Sequence, residues 1–250
     1  MRGYAGAIVI LGDTTLPSAR RVRSYLTETC DDATRPSNVA LRDGALVVEW
    51  EGGIGIASLV TEPIPWSDLL PICEQSWHWP EAAAALQKHQ AQVIVSVGTT
   101  TDDAIHRAML LTRLVGAVTS HSSARGVFWV DAGIVHSPAF FARRCLEMTR
   151  ESLPLELWIG FNGLEDSDGL VSMCTMGLRK FGHPEIEVRH SSESQDDVFD
   201  IVFAAAHFLV ETGADLKEGD VFEVSDEQQV PVHHVASSMD PSETAILLEL

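Results

Sequence analysis

Glu185 and Glu187 stand two residues apart in the run EIEVRH (185–190), with His183 and His190 close by. On an extended strand, residues two apart share a face. Two carboxylates and a histidine so placed have the makings of general acid–base chemistry or of cation binding. The alternation with Ile186 and Val188 fits a solvated strand face equally well, so the spacing leaves both readings open.

The other reactive side chains form no recognisable machinery. Ser120-His121-Ser122-Ser123 sets hydroxyls beside an imidazole. There is no GxSxG elbow, however, and neighbours in sequence are not a triad in space, so the segment reads as a loop that ends a helix. His233 and His234 fall on a predicted strand and point to opposite faces, which is poor geometry for one metal ion. The chain holds no HExxH, CxxC or His-x-His pattern, so no metal site is expected. Cys30, Cys73, Cys145 and Cys174 are widely spaced and read as buried, reduced thiols of a cytoplasmic protein. Gly52-Gly53-Ile54-Gly55 departs from the phosphate-loop patterns and precedes a strand, so it reads as a hairpin turn. No catalytic residue and no cofactor are expected.

Charge is the stronger signal. The chain carries 36 Asp/Glu against 17 Lys/Arg, a net −19. Residues 181–250 hold 16 of the acids and only Arg189 and Lys217, a net −14. Glu193, Asp196, Asp197 and Asp200 crowd the start of a predicted helix, where negative charge suits the helix dipole. Glu211, Asp215, Glu218, Asp220, Glu223, Asp226 and Glu227 follow with one lysine among them. So one-sided a segment repels itself and points to a partner-binding surface made by these seven acids together with Glu193, Asp196, Asp197 and Asp200. Nucleic acid and anionic membranes are disfavoured, since both need a basic face; a basic protein is favoured. Trp66, Trp77 and Trp79 beside Pro65 and Pro80 are either aromatic anchors for a partner or core.

The elements that must position these residues are mixed helix and strand. Ala5–Leu11 reads as a buried strand rather than a signal peptide. A helix from Pro17 to about Thr29 follows. Strands are expected at 45–50 and 54–61, helical segments at 66–76 and 81–89, and a strand at 92–97. That order, β-α-β-β-α-β, predicts a ferredoxin-like sub-lobe over 1–98. Residues 99–250 are expected to form a second mixed α/β sub-lobe packed with the first in one α+β body. Its predicted elements include a long helix to about Thr119, strands at 126–130, 156–161, 170–175 and 185–190, a helix at 195–212, and closing strands at 221–224, 230–235 and 244–248. No run approaches the roughly 18 apolar residues that span a bilayer.

Four segments carry a family resemblance. Lys88–Val97 (KHQAQVIVSV), Ser123–Trp129 (SARGVFW), Leu157–Phe161 (LWIGF) and Thr175–Glu187 (TMGLRKFGHPEIE) resemble segments of a bacterial family called domain of unknown function 4261, over roughly residues 5–212. The resemblance supplies no activity. It implies kinship with proteins encoded beside bacterial toxins and secretion-system effectors, and hence an immunity protein that neutralises a cognate toxin, such as a basic nuclease, by binding it. The rival expectations are an enzyme built on Glu185, Glu187 and His183 or His190, and a regulatory scaffold that forms homodimers or larger homo-oligomers.

Overall fold

The computed structural model describes residues 3–32, 34–225 and 228–250. It is an α+β protein whose chain divides into two units, residues 1–158 and 159–250.

In the first unit, β1 (Gly3–Leu11) leads into α1 (Ala19–Thr29), capped by the Ser18 hydroxyl. The strands β2 (Asn38–Arg42), β3 (Ala45–Trp50) and β4 (Gly53–Val60) form a meander. Then come α2 (Trp66–Gln75), the short α3 (Ala82–Leu86), β5 (Ala91–Thr99), α4 (Ala104–Ser120), β6 (Ala124–Trp129), β7 (Ile134–His136), α5 (Pro138–Glu147) and the single turn α6 (Leu155–Trp158). The seven strands form one sheet in the order β2-β3-β4-β5-β1-β6-β7, and every neighbouring pair is antiparallel.

This is not the expected ferredoxin-like order. There the first strand would separate the third from the fourth. Here β5 pairs directly with β4, from Gly53↔Thr99 to Val60↔Gln92, and β1 takes its place on the far side of β5. The segment holding α2 and α3 therefore joins two adjacent antiparallel strands instead of crossing to a parallel one. The expected division near residue 98 fails for the same reason: β1 lies between β5 and β6, so one sheet spans that point.

Strand alternation gives the sheet two faces. Ala7, Val9, Val93, Val95, Val97, Ala57 and Val127 share one register face and are buried. Helix α4 lies over this face: a Cβ placed on Gly55 of β4 would come within 2.7 Å of Leu114 on α4. The opposite face carries Ile10, which clusters with Leu69, Cys73, Ala82, Leu86 and Val135 from α2, α3 and β7. Trp66 and Trp79 pack against that cluster.

His136 at the end of β7 is fully buried. Its Nε2 lies 3.3 Å from the Leu157 carbonyl and its Nδ1 lies 3.2 Å from Nε2 of His78. A carbonyl only accepts, so His136 carries its proton on Nε2, and its Nδ1 accepts from His78. Burial, with the nearby His78, pushes His136 down to about 3.

The second unit holds β8 (Gly160–Glu165), β9 (Val171–Met176), a 3₁₀ turn (Leu178–Phe181), β10 (Glu185–Ser191), α7 (Gln195–Thr212), β11 (Val221–Glu223), β12 (Gln229–Ala236) and β13 (Thr244–Leu248). The sheet order is β11-β12-β13-β10-β9-β8. Only β10 and β13 are parallel, and α7 lies in the connection between them. The helix buries Val198, Ile201, Val202, Ala205, Ala206, Leu209 and Val210, the i, i+3, i+4 stripe of a helix lying on a sheet. Ser194 caps its start and Gly213, at φ 65°, ends it in the left-handed conformation. Phe161 of β8 meets Phe199 and Phe203 of α7, with ring centroids 5.2 and 5.6 Å away.

The depressed His136 makes a stability prediction. Above pH 6.5 the imidazole is neutral in both folded and unfolded chains. Below it the unfolded chain takes up a proton that the native one refuses down to about pH 3, so stability falls as pH falls through that window. By pH 4.5 the His136 contribution to that loss is on the order of 2–3 kcal/mol. Urea unfolding at pH 7 and pH 4.5 measures it. The His136→Gln variant is expected to show a smaller drop by that amount, and an unchanged drop refutes the assignment.

Candidate functional site

The second unit carries 19 Asp/Glu against Arg179, Lys180, Arg189 and Lys217. Its carboxylates fall into three groups with different physical roles.

The first group is structural. The Glu185 carboxylate accepts from the backbone N–H groups of Gly177, Leu178 and Arg179 and from the Thr175 hydroxyl. It thereby closes the 3₁₀ turn onto β10. Glu187 is 1% exposed. One of its oxygens accepts two bonds from the Arg189 guanidinium, at 2.9 and 2.6 Å. The other accepts from the Ser237 hydroxyl and the Ser238 N–H. Burial pushes the Glu187 pKa up, but Arg189 and the two serines outweigh it and hold the carboxyl below its ordinary value. Arg189 also donates to the Ala236 carbonyl, so this clamp ties β10 to the turn between β12 and β13.

Both carboxylates are thus engaged in hydrogen bonds that hold the fold. The histidines considered with them turn elsewhere: His183 Nδ1 lies 3.9 Å from Asp215, and His190 Nδ1 lies 3.4 Å from Asp166. His190 has φ 51° and sits where the β9–β10 register shifts, between Val188 and Ser191.

The second group is the start of α7. Asp196 and Asp197 occupy the first turn, where the exposed N–H groups of the helix favour negative charge. Asp197 is bonded to the capping hydroxyl of Ser194 at 2.5 Å. Glu193 and Asp200 are exposed beside them.

The third group gathers at the other end of the helix. Glu211 is in the last turn of α7, and Asp215, Glu218, Asp220 and Glu223 follow; all five are exposed. The last turn of α7 contains no basic residue. The unsatisfied carbonyls there make this the negative end of the dipole, which disfavours Glu211 in that turn. These acids contribute nothing to helix stability through the dipole.

Their partners are mostly histidines. Glu211 lies 3.2 Å from His207. His233 sits between Glu218 and Glu249, at 3.1 and 3.2 Å, and both raise its pKa. Glu218 also accepts from the His234 N–H, and Asp220 from the Lys217 N–H. The His234 ring turns to a different partner from the His233 ring: its Nε2 faces the Leu216 carbonyl at 2.8 Å.

The expected acidic surface is thus two groups rather than one. Fifteen residues of helix separate Asp196 from Glu211, roughly 22 Å along the axis. Asp226 and Glu227 lie outside the described residues.

Among the described residues no cluster of three or more His, Cys, Asp or Glu is placed to hold a metal ion, and no helix is long and apolar enough to cross a membrane. Cys30, Cys73 and Cys145 are buried and Cys174 is half-buried, all with free thiols. Burial pushes Cys73 and Cys174 up to about 11, the wrong direction for a nucleophile. Trp66 and Trp79 belong to the core, while Trp77 is 38% exposed.

Residues 174–249 match the family model described as Domain of unknown function (DUF4261). The match lies wholly within the second unit and takes in the Thr175–Glu187 motif, including both structural glutamates. The segments at 88–97, 123–129 and 157–161, which resemble the same family in sequence, lie outside it. Comparison with curated proteins and with solved structures found no match.

The clamp at Glu187 makes a prediction. In Glu187→Ala the Arg189 guanidinium and the Ser238 N–H lose their acceptor, which costs about 2–4 kcal/mol. Hydrogen exchange is expected to show β10 and the 236–239 turn losing protection while β1 and β5 of the first unit keep theirs. Unaltered protection of β10 refutes the clamp.

Proposed function

We propose that this chain is a non-catalytic protein-binding module whose partner is a basic protein, met by the acids that surround the C-terminal end of α7. One observation carries the reading. Glu211 sits in the last turn of α7, where the helix dipole opposes it, and Asp215, Glu218, Asp220 and Glu223 follow, all five exposed with Lys217 the one Lys or Arg among them, so this run of like charge is maintained against its own repulsion. A basic partner supplies the missing counter-charge, speeds its own encounter with this surface, and removes the repulsion.

In its specific form the proposal is an immunity protein. It acts in the cytoplasm, binds a cognate bacterial toxin or secreted effector such as a basic nuclease, and blocks it by covering its surface. What supports this form is the family resemblance together with the charge; the mode of action needs no chemistry from the chain.

The acids that hold their own loop, Glu218 and Asp220, are best left intact in a test. The triple variant Glu211→Gln, Asp215→Asn, Glu223→Gln removes three charges without touching them. Pull-downs with the products of neighbouring genes, at low and moderate salt, are expected to capture a basic protein. Its association rate should fall about tenfold in the triple variant and fall again with salt. The pair Asp196→Asn, Asp197→Asn should lower stability instead and leave association unchanged. Failure to capture any basic protein, or equal rates for the triple variant, overturns the proposal.

A further inference from the structure

The first sheet has one face on α4 and one face that is only partly covered. On the second face, the cluster of Ile10, Leu69, Cys73, Leu86 and Val135 closes the end formed by β1, β6 and β7. Towards β2 the face opens. Ile94 of β5 is 43% exposed, Ile56 of β4 39% and Tyr4 of β1 66%.

The pairing registers run straight across this open part. Ala40, Val47, Ile56, Ser96 and Gly6 stand opposite one another in turn on β2, β3, β4, β5 and β1, so they point to one side. The rows above and below run from Arg42 to Ile8 and from Asn38 to Tyr4. The Tyr4 side chain folds down along the sheet: a Cβ on Gly6 would stand 3.2 Å from its hydroxyl.

The outer face of an antiparallel sheet is polar where it meets water. This one is not. In these three rows the charged side chains are Arg42 and Glu49, and they pair with each other at 2.8 Å. Asn38 donates to the other Glu49 oxygen. The face is therefore neutral, with its charges satisfied within the chain, in a protein of net charge −19. Single exposed apolar residues are ordinary, whereas a contiguous charge-poor set is the mark of an interface core.

We propose that this face is the interface of a homodimer, in which two copies of the chain pack sheet against sheet. Charge selects a second copy over another protein. A charged partner finds no unpaired charge here to answer, while a self-complementary face needs none. Two copies of so acidic a chain repel each other, and they meet where the surface is neutral. Edge-to-edge pairing is blocked at β2, the end strand of the sheet: the Arg23 guanidinium donates to the Val39 carbonyl at 2.6 Å and to the Asn38 side chain at 3.0 Å. Face-to-face packing stays open. Five strands about 4.8 Å apart and three rows about 7 Å apart give a footprint of roughly 500 Å². Two copies then bury about 1,000 Å², the lower limit for a biological interface, which sets a Kd on the order of 10 µM. The interface belongs to the first unit and does not rest on the acids of the second.

The test is the mass of the full chain by sedimentation equilibrium, from about 1 to 200 µM, at low and at moderate salt. A dimer is expected, and its Kd should fall about threefold or more as salt screens the net repulsion. Binding of a basic partner responds to salt in the opposite direction. Ile56→Glu and Ile94→Glu each put a charge into the packed face and should raise Kd about tenfold or more. Tyr4→Ser adds no charge and should raise it about threefold. Leu164→Glu, at a position 71% exposed on β8, should leave it unchanged. All four side chains are exposed, and circular dichroism checks that each variant keeps the fold. Three results overturn the proposal: a chain that stays monomeric at about 200 µM in moderate salt, whatever other protein it captures; a Kd that no folded variant of Tyr4, Ile56 or Ile94 raises; or equal weakening by Leu164→Glu.

Discussion

Helix α4 is buried along twelve consecutive residues, Ala108–Thr119, and the first unit is arranged around that constraint. A helix covered on every side needs apolar neighbours all round. The sheet supplies one side, and α1 and α5 supply others. Close approach is obtained by leaving out side chains: a Cβ on Gly116 would sit 2.5 Å from the Cys145 sulfur on α5. The one charge within the buried stretch, Arg113, is 3% exposed. It donates to the carbonyls of Cys145 and Met148, the carbonyl end of α5, where the helix dipole is negative. A buried cation is thus held by backbone oxygens rather than by an acid. Thr112 beside it accepts from the indole of Trp158, which fixes the last turn of the unit.

Local pattern made most elements of this fold legible, and pairing order did not follow from it. The strand at 45–50, the helix at 195–212 and the strand at 244–248 are where periodicity puts them. Pro71 sits inside α2 without ending it. The segment around Leu157 reads as a strand because Leu155, Leu157 and Ile159 alternate, yet Leu155–Trp158 is a helical turn. Pro154 was the informative residue there, since its fixed φ suits a helix start, and its carbonyl accepts from the Leu157 N–H. The exchange of β1 and β5 relative to a ferredoxin-like sheet has no such local signal. Both strands are buried on the α4 face and both carry Val/Ile runs, so either could occupy either place on composition alone. Their register is a long-range property of the whole sheet.

The same division applies to the candidate sites. The acidity of the last 70 residues is plain in the composition, but its meaning depends on which end of α7 each acid occupies. Asp196 and Asp197 are accounted for by the helix start, and Glu211 and Asp215 are not. Glu185 and Glu187 look alike in sequence, two residues apart on one strand. In the structure one closes a turn of backbone N–H groups and the other clamps an arginine. Side chains that act alone on local structure leave a sequence trace; those that meet across the fold do not.

The position of β1 bears on how the first unit comes to be made. Its hydrogen-bonding partners on the two sides are β5 and β6, which run from Ala91 to Trp129. A ribosome delivers β1 long before either. Until then the run AIVIL (7–11) has neither an edge to pair with nor a helix to cover it, and an unpaired apolar strand is the element most prone to associate with other chains. Such non-local pairing also slows folding, because long loops must close before the contacts form. The second unit faces less of this difficulty: β8 pairs with β9 and β11 with β12, strands that follow one another in sequence, while the parallel β10–β13 pair waits for the chain beyond α7. In order of synthesis the strand at the heart of the first sheet waits some eighty residues for the first of its two neighbours.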